Sequence, residues 1–599
     1  MPESKIDPSA LHAKYIEERD KRLKNGDRGY VDPFGEFPDF DRDPWVTEKL
    51  KRDPISAEID VAILGGGQSG LVSAVELGRV GVHDVRIIEE GGDFGGVWYW
   101  NRYPGVRCDI ESYIYMPLLD EVDTVPKEKY ATGKEIFEHC RTIGRHFKLY
   151  DKAIFQTKIS EVKWNSSDSR WHVSTNRGDV LRARFVIAAS GYQHRPKYPA
   201  IAGLKEFKGR LFHPSRWDFH FTGGSSDGEL VGLRGKKVAL IGTGATGIQI
   251  LPHLAKYADR AYLLQRTPAA VGARNNRPTD LAWYKSLKPG WHQQRMDNFH
   301  QVIAGTPNVE DMVNDCWTLS AAELFKATTG GATGGDMTTI AEAMQLYDYK
   351  LMEGLRNRVA AIVKDPNTAE KLKAWYNLFC KRPLYSDDYL ESFNNPSVTL
   401  VDTDGRGVER ITETGLVANG VHYEVDGIIV ATGFQVGAYE PKTATYPIVG
   451  RTGEALDKKW SRGIRSLHGL VTHGFPNFHI VGGIVQAGVS FNYTFLAKQH
   501  AIQAASIIAR ALREKQLSIE ITAEAEKKWL DIIAAKAVPR GSFESECTPG
   551  YYNNEGDTST PTLFSTTYGG GAFEYFDVLR QWRESGYMAD TIIIKGVSA

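Results

Sequence analysis

Twice in this chain an apolar run of strand type opens directly into a glycine turn and a helix, and this doubled unit constrains the fold more than any other feature. Ile59-Asp60-Val61-Ala62-Ile63-Leu64 leads into Gly65-Gly66-Gly67-Gln68-Ser69-Gly70, then a helical Leu71 to Val80 and a second strand, Val85-Arg86-Ile87-Ile88. Lys237-Val238-Ala239-Leu240-Ile241 leads likewise into Gly242-Thr243-Gly244-Ala245-Thr246-Gly247, a helical Ile248 to Ala255, and the strand Ala261-Tyr262-Leu263-Leu264. Glycines at this spacing allow a tight turn and a close approach to a pyrophosphate, and the helix N-terminus adds partial positive charge. The chain reads as α/β with two dinucleotide sites.

The strand ends separate the two sites. The first unit ends in Glu89, about 20 residues beyond Gly70, where a carboxylate accepts from both ribose hydroxyls; Glu90 is the alternative. The second ends in Gln265-Arg266-Thr267, where a carboxylate would repel a 2′-phosphate and Arg266 with the Thr267 hydroxyl would bind one. NADP(H) is therefore expected on Gly242, Gly244, Thr246, Gly247, Arg266 and Thr267, and a different dinucleotide on Gly65, Gly67, Gly70 and Glu89.

Two further apolar strands, Arg184 to Gly191 and Asp426 to Phe434, end in small residues and suit chain crossings between two Rossmann-like domains. The expected order is an N-terminal extension (1–57), the first nucleotide domain (58–193), the second inserted in it (194–272), and a helical cap (273–374). A return of the second domain (375–396) follows, then the first domain resuming near Val398 (397–530) and a C-terminal lid and tail (531–599). Within the cap, Ile340, Met344, Tyr347 and Leu351 recur at helical spacing and are expected to face a core, and Gly330 to Gly335 reads as a mobile loop. In the extension, Asp7-Pro8-Ser9 starts a helix with Leu11, Tyr15 and Leu23 on one face, ended by Gly26, and Tyr30 to Pro44 reads as an extended arm.

With 73 Lys+Arg against 74 Asp+Glu the net charge is -1, so nothing favours a nucleic-acid or membrane-surface partner, and a small neutral one is expected. The five cysteines, Cys108, Cys140, Cys316, Cys380 and Cys547, form neither a CxxC pair nor a zinc-like spacing, and imply a reducing compartment. No apolar stretch approaches the ~20 residues of a membrane span. A soluble, cytoplasmic protein is expected; the oligomeric state is not readable.

Between the two units, Gly95-Gly96-Val97-Trp98-Tyr99-Trp100-Asn101-Arg102-Tyr103-Pro104-Gly105-Val106-Arg107-Cys108-Asp109 offers close backbone, aromatic surface and charge to a flat ligand, for which flavin fits. Farther on, Phe207-Lys208-Gly209-Arg210-Leu211-Phe212-His213-Pro214-Ser215-Arg216-Trp217-Asp218 carries the pattern FxGxxxHxxxW followed by Asp. Lying between two nucleotide sites, it resembles the type I Baeyer–Villiger monooxygenases, whose other signature (Gly-Gly-x-Trp, Tyr-Pro-Gly and a terminal Asp) matches Gly95 to Asp109. The resemblance runs from about Asp60 to Gly556 and leaves out the extension and the insert Phe221 to Gly235.

The resemblance implies FAD at the first site, with Gly96, Trp98, Tyr103 and Asp109 beside it, and NADP(H) at the second. Phe379-Cys380-Lys381-Arg382-Pro383 looks like the family's Lys-Arg-Pro segment. It makes Arg382 the catalytic arginine, Asp109 its ion-pair partner, and Lys381 a further 2′-phosphate contact. Reduced flavin and O2 would give a C4a-peroxide, which attacks a ketone as its anion, so a cation that cannot deprotonate is required. His213 is assigned a structural, hinge role. The loop Glu546 to Gly556 looks like that of members accepting bulky ketones. Flavin N- and S-oxygenases of amines and sulfides remain the alternative, although they usually carry Tyr or Phe where this chain has Trp217. A flavin-binding protein without turnover is a third.

Overall fold

The computed structural model describes residues 6–24, 29–40, 42–122, 124–320, 337–436, 445–484, 486–487, 491–537, 542–559, 567–586 and 590–595. Gly26 and the loop Gly330 to Gly335 lie outside them. Helix α1 (Pro8–Lys24) starts where Asp7 accepts from the Ser9 and Ala10 N–H groups (3.0 and 3.1 Å), with proline in the first turn. Its buried residues are Tyr15 and Arg22, whereas Leu23 is exposed, so the expected Leu11, Tyr15, Leu23 face is corrected to Tyr15 and Arg22, seven residues apart.

The first glycine unit folds as strand β1 (Ser56–Leu64), helix α2 (Gln68–Arg79) and strand β2 (Val85–Ile88). In the sheet β1 is flanked by parallel β2 and by parallel β3 (Val180–Ala188). A short strand, β4 (Arg210–Phe212), follows, and the second unit is β5 (Lys237–Ile241), α3 (Ala245–Tyr257) and β6 (Arg260–Gln265). Helix α4 (Met337–Ile362) belongs to the cap. Next come β7 (Val398–Asp402), β8 (Gly427–Val430) and β9 (Phe478–Ile480), which pairs parallel to β3 in the first sheet, and α5 (Tyr493–Arg513), which packs on α2.

The order of the second sheet, β7-β6-β5-β8-β4, corrects the placement of the return. Residues from Val398 do not resume the first domain, because β7 runs parallel to β6, with Ala261 opposite Val398, and β8 runs parallel to β5. Among the described residues the first sheet is rejoined at Ile448–Val449 and at β9. An apolar parallel strand says that it is buried on both faces, not which sheet buries it.

The cap stripe is corrected in part: on α4, Met344 is exposed, Leu351 packs half-buried against a core cluster as expected, and among the described side chains the buried ones are Tyr349, Met352, Arg356 and Val359. The side chain of Ile340 lies outside the described residues. That face meets α1, where the Arg356 guanidinium donates to the Tyr15 hydroxyl (3.0 Å).

Both crossings use small residues for a steric reason. Gly65 (φ +114°) and Gly242 (φ +113°) adopt a conformation that favours glycine, and a Cβ on either would stand 2.7 Å from the Ala189 carbonyl oxygen or 2.5 Å from that of Ala431. Each glycine turn is thus pressed against the strand by which the chain leaves its sheet.

Candidate functional site

One cavity of about 860 Å³ is lined by both glycine turns and by the segment Gly95 to Ile110. On the first side the Gly67 and Gly96 backbones are in contact: Gly96 has φ +56°, and a Cβ there would lie 2.9 Å from Gly67 Cα. The Glu89 carboxylate accepts from the Gly66 and Gly91 N–H groups (2.6 and 2.7 Å) at the cavity wall. Burial pushes its carboxyl up to about 7 against those two hydrogen bonds. Beside it the buried Gln68 Nε2 has no hydrogen-bond partner among the described residues. A flat aromatic–ribose–pyrophosphate ligand fits this cradle of bare backbone, ribose acceptor and unpaired amide donor. Trp98 and Tyr103 line the same wall, and the Tyr103 phenol meets Thr246 across the cleft.

On the second side Gly242, Gly244 and Thr246 line the cavity, with open space where a Gly244 Cβ would project at the start of α3. Gly70 and Gly247 stand behind the wall instead, where a Cβ would overlap the carbonyls of Gly65 and Gly242, so their role is helix-to-turn packing. Arg266 and Thr267 lie at the cavity end, with Lys381 half-buried there and donating to the Pro549 carbonyl (2.6 Å). Burial and the nearby Arg266 charge bring the Lys381 ammonium down to about 7.

Where the two sides meet, Arg382 donates both terminal nitrogens to Asp109 (Nη1 to Oδ2 2.5 Å, Nη2 to Oδ1 2.8 Å), a bidentate pair built from positions 273 residues apart. Burial raises the Asp109 carboxyl, but the Arg382 charge and hydrogen bonds outweigh it and hold the group below its usual value. The Trp317 indole N–H donates to the Asp109 carbonyl (3.0 Å), and its ring lies 5.3 Å from the guanidinium carbon. With 32% of its side chain exposed, Arg382 presents its charge to the cavity. Around it stand two tyrosine pairs, Tyr192 with Tyr493 (ring centroids 5.5 Å apart) and Tyr551 with Tyr552 (4.6 Å). All four line the cavity.

His213 is buried at the second crossing: its Nε2 donates to the Gly433 carbonyl (3.0 Å) and its Nδ1 accepts from the Ser215 N–H (3.2 Å). Burial pushes the imidazole down to about 3, so it is neutral and fixed as one tautomer, in keeping with a hinge role. The cysteine spacing, from which a reducing compartment is inferred, does hold one pair: Cys380 and Cys547 form a disulfide across 167 residues, while Cys108, Cys140 and Cys316 are free and buried. Neither that bridge nor Arg22, Lys197 and Glu555, which also line the second side, was found from the sequence. Each is brought in from a distant segment, and no local spacing announces it.

The family model described as pyridine nucleotide-disulphide oxidoreductase matches residues 62–301. Pentalenolactone D synthase of Streptomyces arenae is 47% identical over 588 residues, covering 98% of this chain and 99% of that protein. Baeyer-Villiger monooxygenase ATR8 of Stachybotrys chlorohalonatus is 44% identical over 592 residues, covering 97% and 93%. Among solved structures, the polycyclic ketone monooxygenase of the thermophilic fungus Thermothelomyces thermophila superposes with a TM-score of 0.88 at 36% identity, over 98% of this chain and 99% of that one.

Proposed function

The chain belongs to the Baeyer–Villiger monooxygenase family, and from that premise we propose which of its residues serve the reaction and which ketones it accepts. It is an FAD- and NADPH-dependent monooxygenase that converts ketones to esters or lactones with O2. FAD held at the first glycine turn, and NADPH at the second, would supply the redox and oxygen-activating chemistry. The alternative of an amine or sulfide oxygenase gains no support from these relatives.

In this reading Glu89 holds the FAD ribose, and the Gly67–Gly96 contact keeps side chains clear of the pyrophosphate. Arg382 is the catalytic cation, because a guanidinium stays protonated at any working pH and can stabilise an oxyanion without giving up its proton. Asp109 fixes its plane through both nitrogens. The observation that carries the assignment is this bidentate pair, facing the cavity that both glycine turns line. Arg266, Thr267 and Lys381 hold the NADPH 2′-phosphate, and NADPH reduction of the flavin in an Arg382→Ala variant that forms no ester is the test.

The substrate class we propose is a bulky, polycyclic ketone, because the relatives named above include a pentalenolactone D synthase and a polycyclic ketone monooxygenase. The aromatic wall of Tyr192, Tyr493, Tyr551 and Tyr552 suits apolar ring systems. A panel of small cyclic, long linear and fused-ring ketones, read as product mass, tests it; preferred turnover of cyclohexanone would overturn it. Among the described residues no helix is long and apolar enough to cross a membrane.

A further inference from the structure

The second nucleotide site contains more positive charge than its own domain supplies. Arg22 comes from the N-terminal helix α1, is buried, and donates its Nε to the Thr267 hydroxyl (2.8 Å). That hydroxyl belongs to the strand-end pair expected to meet a 2′-phosphate. Glu18, one turn earlier, holds the other side of the guanidinium (Nη1 to Oε2 2.8 Å). Lys197, from the linker after the first crossing, and Lys381 stand with Arg266 at the same end of the cavity.

A single carboxylate from the C-terminal loop is inserted among them. Glu555 accepts from Lys197 Nζ (2.7 Å) through Oε1 and lies 3.3 Å from Arg266 Nη2 through Oε2. Burial raises its carboxyl, but Lys197 and Arg266 outweigh this and hold it at about 2. The chain reaches this position through two consecutive left-handed residues, Asn554 (φ +49°) and Glu555 itself (φ +57°), a conformation that costs a side-chain-bearing residue energy and persists where surrounding contacts impose it. Arg22, Lys197 and Arg266, with Lys381 partly protonated beside them, outweigh Glu555 and Glu18, and this excess of positive charge at the cavity end is what an anionic phosphate would neutralise.

We propose that the 2′-phosphate site is completed from outside the nucleotide domain: Arg22 of the N-terminal helix is one of its ligands, and Glu555 of the C-terminal loop is a built-in stand-in for the phosphate that gives way when the phosphorylated dinucleotide binds. The inference rests on the assignment of NADP(H) to this site. The N-terminal extension thereby becomes a specificity element, and the anion that the loop must exchange is the group that distinguishes NADPH from NADH.

The test measures binding to the purified, FAD-loaded full-length enzyme by calorimetry, with NADP+, NAD+, adenosine 2′,5′-bisphosphate and 5′-AMP as probes. Glu555→Gln, which keeps the shape and removes the charge, should bind NADP+ and the bisphosphate about tenfold tighter, the scale of a lost charge-assisted contact, and leave NAD+ and AMP unchanged. Arg22→Met should weaken the two 2′-phosphorylated probes about tenfold and spare the others. Unchanged or weaker NADP+ binding by Glu555→Gln overturns the proposal, and does so even if Arg22→Met fails to fold. Arg22→Met acting equally on NADP+ and NAD+ also overturns it. Arg266→Ala separates this failure from a failure of the underlying assignment. If it leaves the NADP+ to NAD+ preference intact, the site is not the NADP(H) site at all. If it abolishes the preference while the other two variants do nothing, only the present inference falls.

Discussion

Replacing Arg382 by Ala removes a charge that two hydrogen bonds, of 2.5 and 2.8 Å, hold in one plane. At a hydrogen-bonded separation of ~4 Å and an effective dielectric constant of ~20, a unit cation stabilises a developing anion by about 4 kcal/mol. The 32% exposure of the side chain admits some solvent screening, so about 3 kcal/mol is the working figure, or a factor of about 100 to 1,000 in rate. The substitution also leaves Asp109 unpaired in the cavity, a negative charge where negative charge must grow, which pushes the loss toward the upper end. Asp109→Ala and the double variant separate the two effects, and the double variant should lose less than the product of the single losses. Two assays decide the outcome. Anaerobic stopped-flow should show flavin reduction by NADPH within about fivefold of the parent enzyme, since hydride transfer does not need the oxyanion. Product mass under air should show the ester down by the factor above, with consumed oxygen recovered as hydrogen peroxide. Ester formation within tenfold of the parent would refute the assignment of Arg382.

Glu89 provides a pH test. Its folded-state carboxyl, near 7, lies above the unfolded value of 4.5, so the folded protein binds the proton more tightly, and stability should fall as pH rises from about 5 to about 8. Asp315 and Asp348, also pushed up to about 7 by burial, contribute in the same window, so Glu89→Gln should lessen that slope in the apo-protein Tm profile, not abolish it, while weakening FAD; a profile unchanged by the substitution rejects the burial argument. Gly96→Ala places a Cβ 2.9 Å from Gly67 Cα at a positive φ, and should cost about 1–3 kcal/mol of stability and at least tenfold in FAD affinity, read by reconstitution of the apoprotein. Thiol titration of the unfolded, unreduced chain should count three of the five cysteines, and Cys547→Ser should lower unfolding stability by about 2–4 kcal/mol. A count of five thiols would show the bridge does not form.

The parts legible in the sequence are those whose chemistry is local. Val85–Ile88 and Lys237–Ile241 fold as strands over the residues their apolar runs predict, because a strand running into a glycine turn encodes its own geometry. Arg382 and Asp109 became a pair only through a resemblance, since nothing in either segment names a partner 273 positions away. The return at Val398 was misplaced because both sheets bury parallel strands of the same composition. Arg22 to Thr267 and Arg266 to Glu555 span 245 and 289 residues, and the buried face of α1 alternates an aromatic with an arginine where a hydrophobic stripe was sought. Charged residues that face inward are invisible to any reading that equates burial with apolarity.

The two crossings at Ala189 and Ala431 are each clamped against a glycine turn, so a side chain added at either turn would have to lift its crossing away. The Cys380–Cys547 bridge is a further covalent tie, fastening the segment that carries Lys381 and Arg382 to the C-terminal loop, so that loop cannot leave the mouth of the cavity without drawing on the backbone next to the arginine.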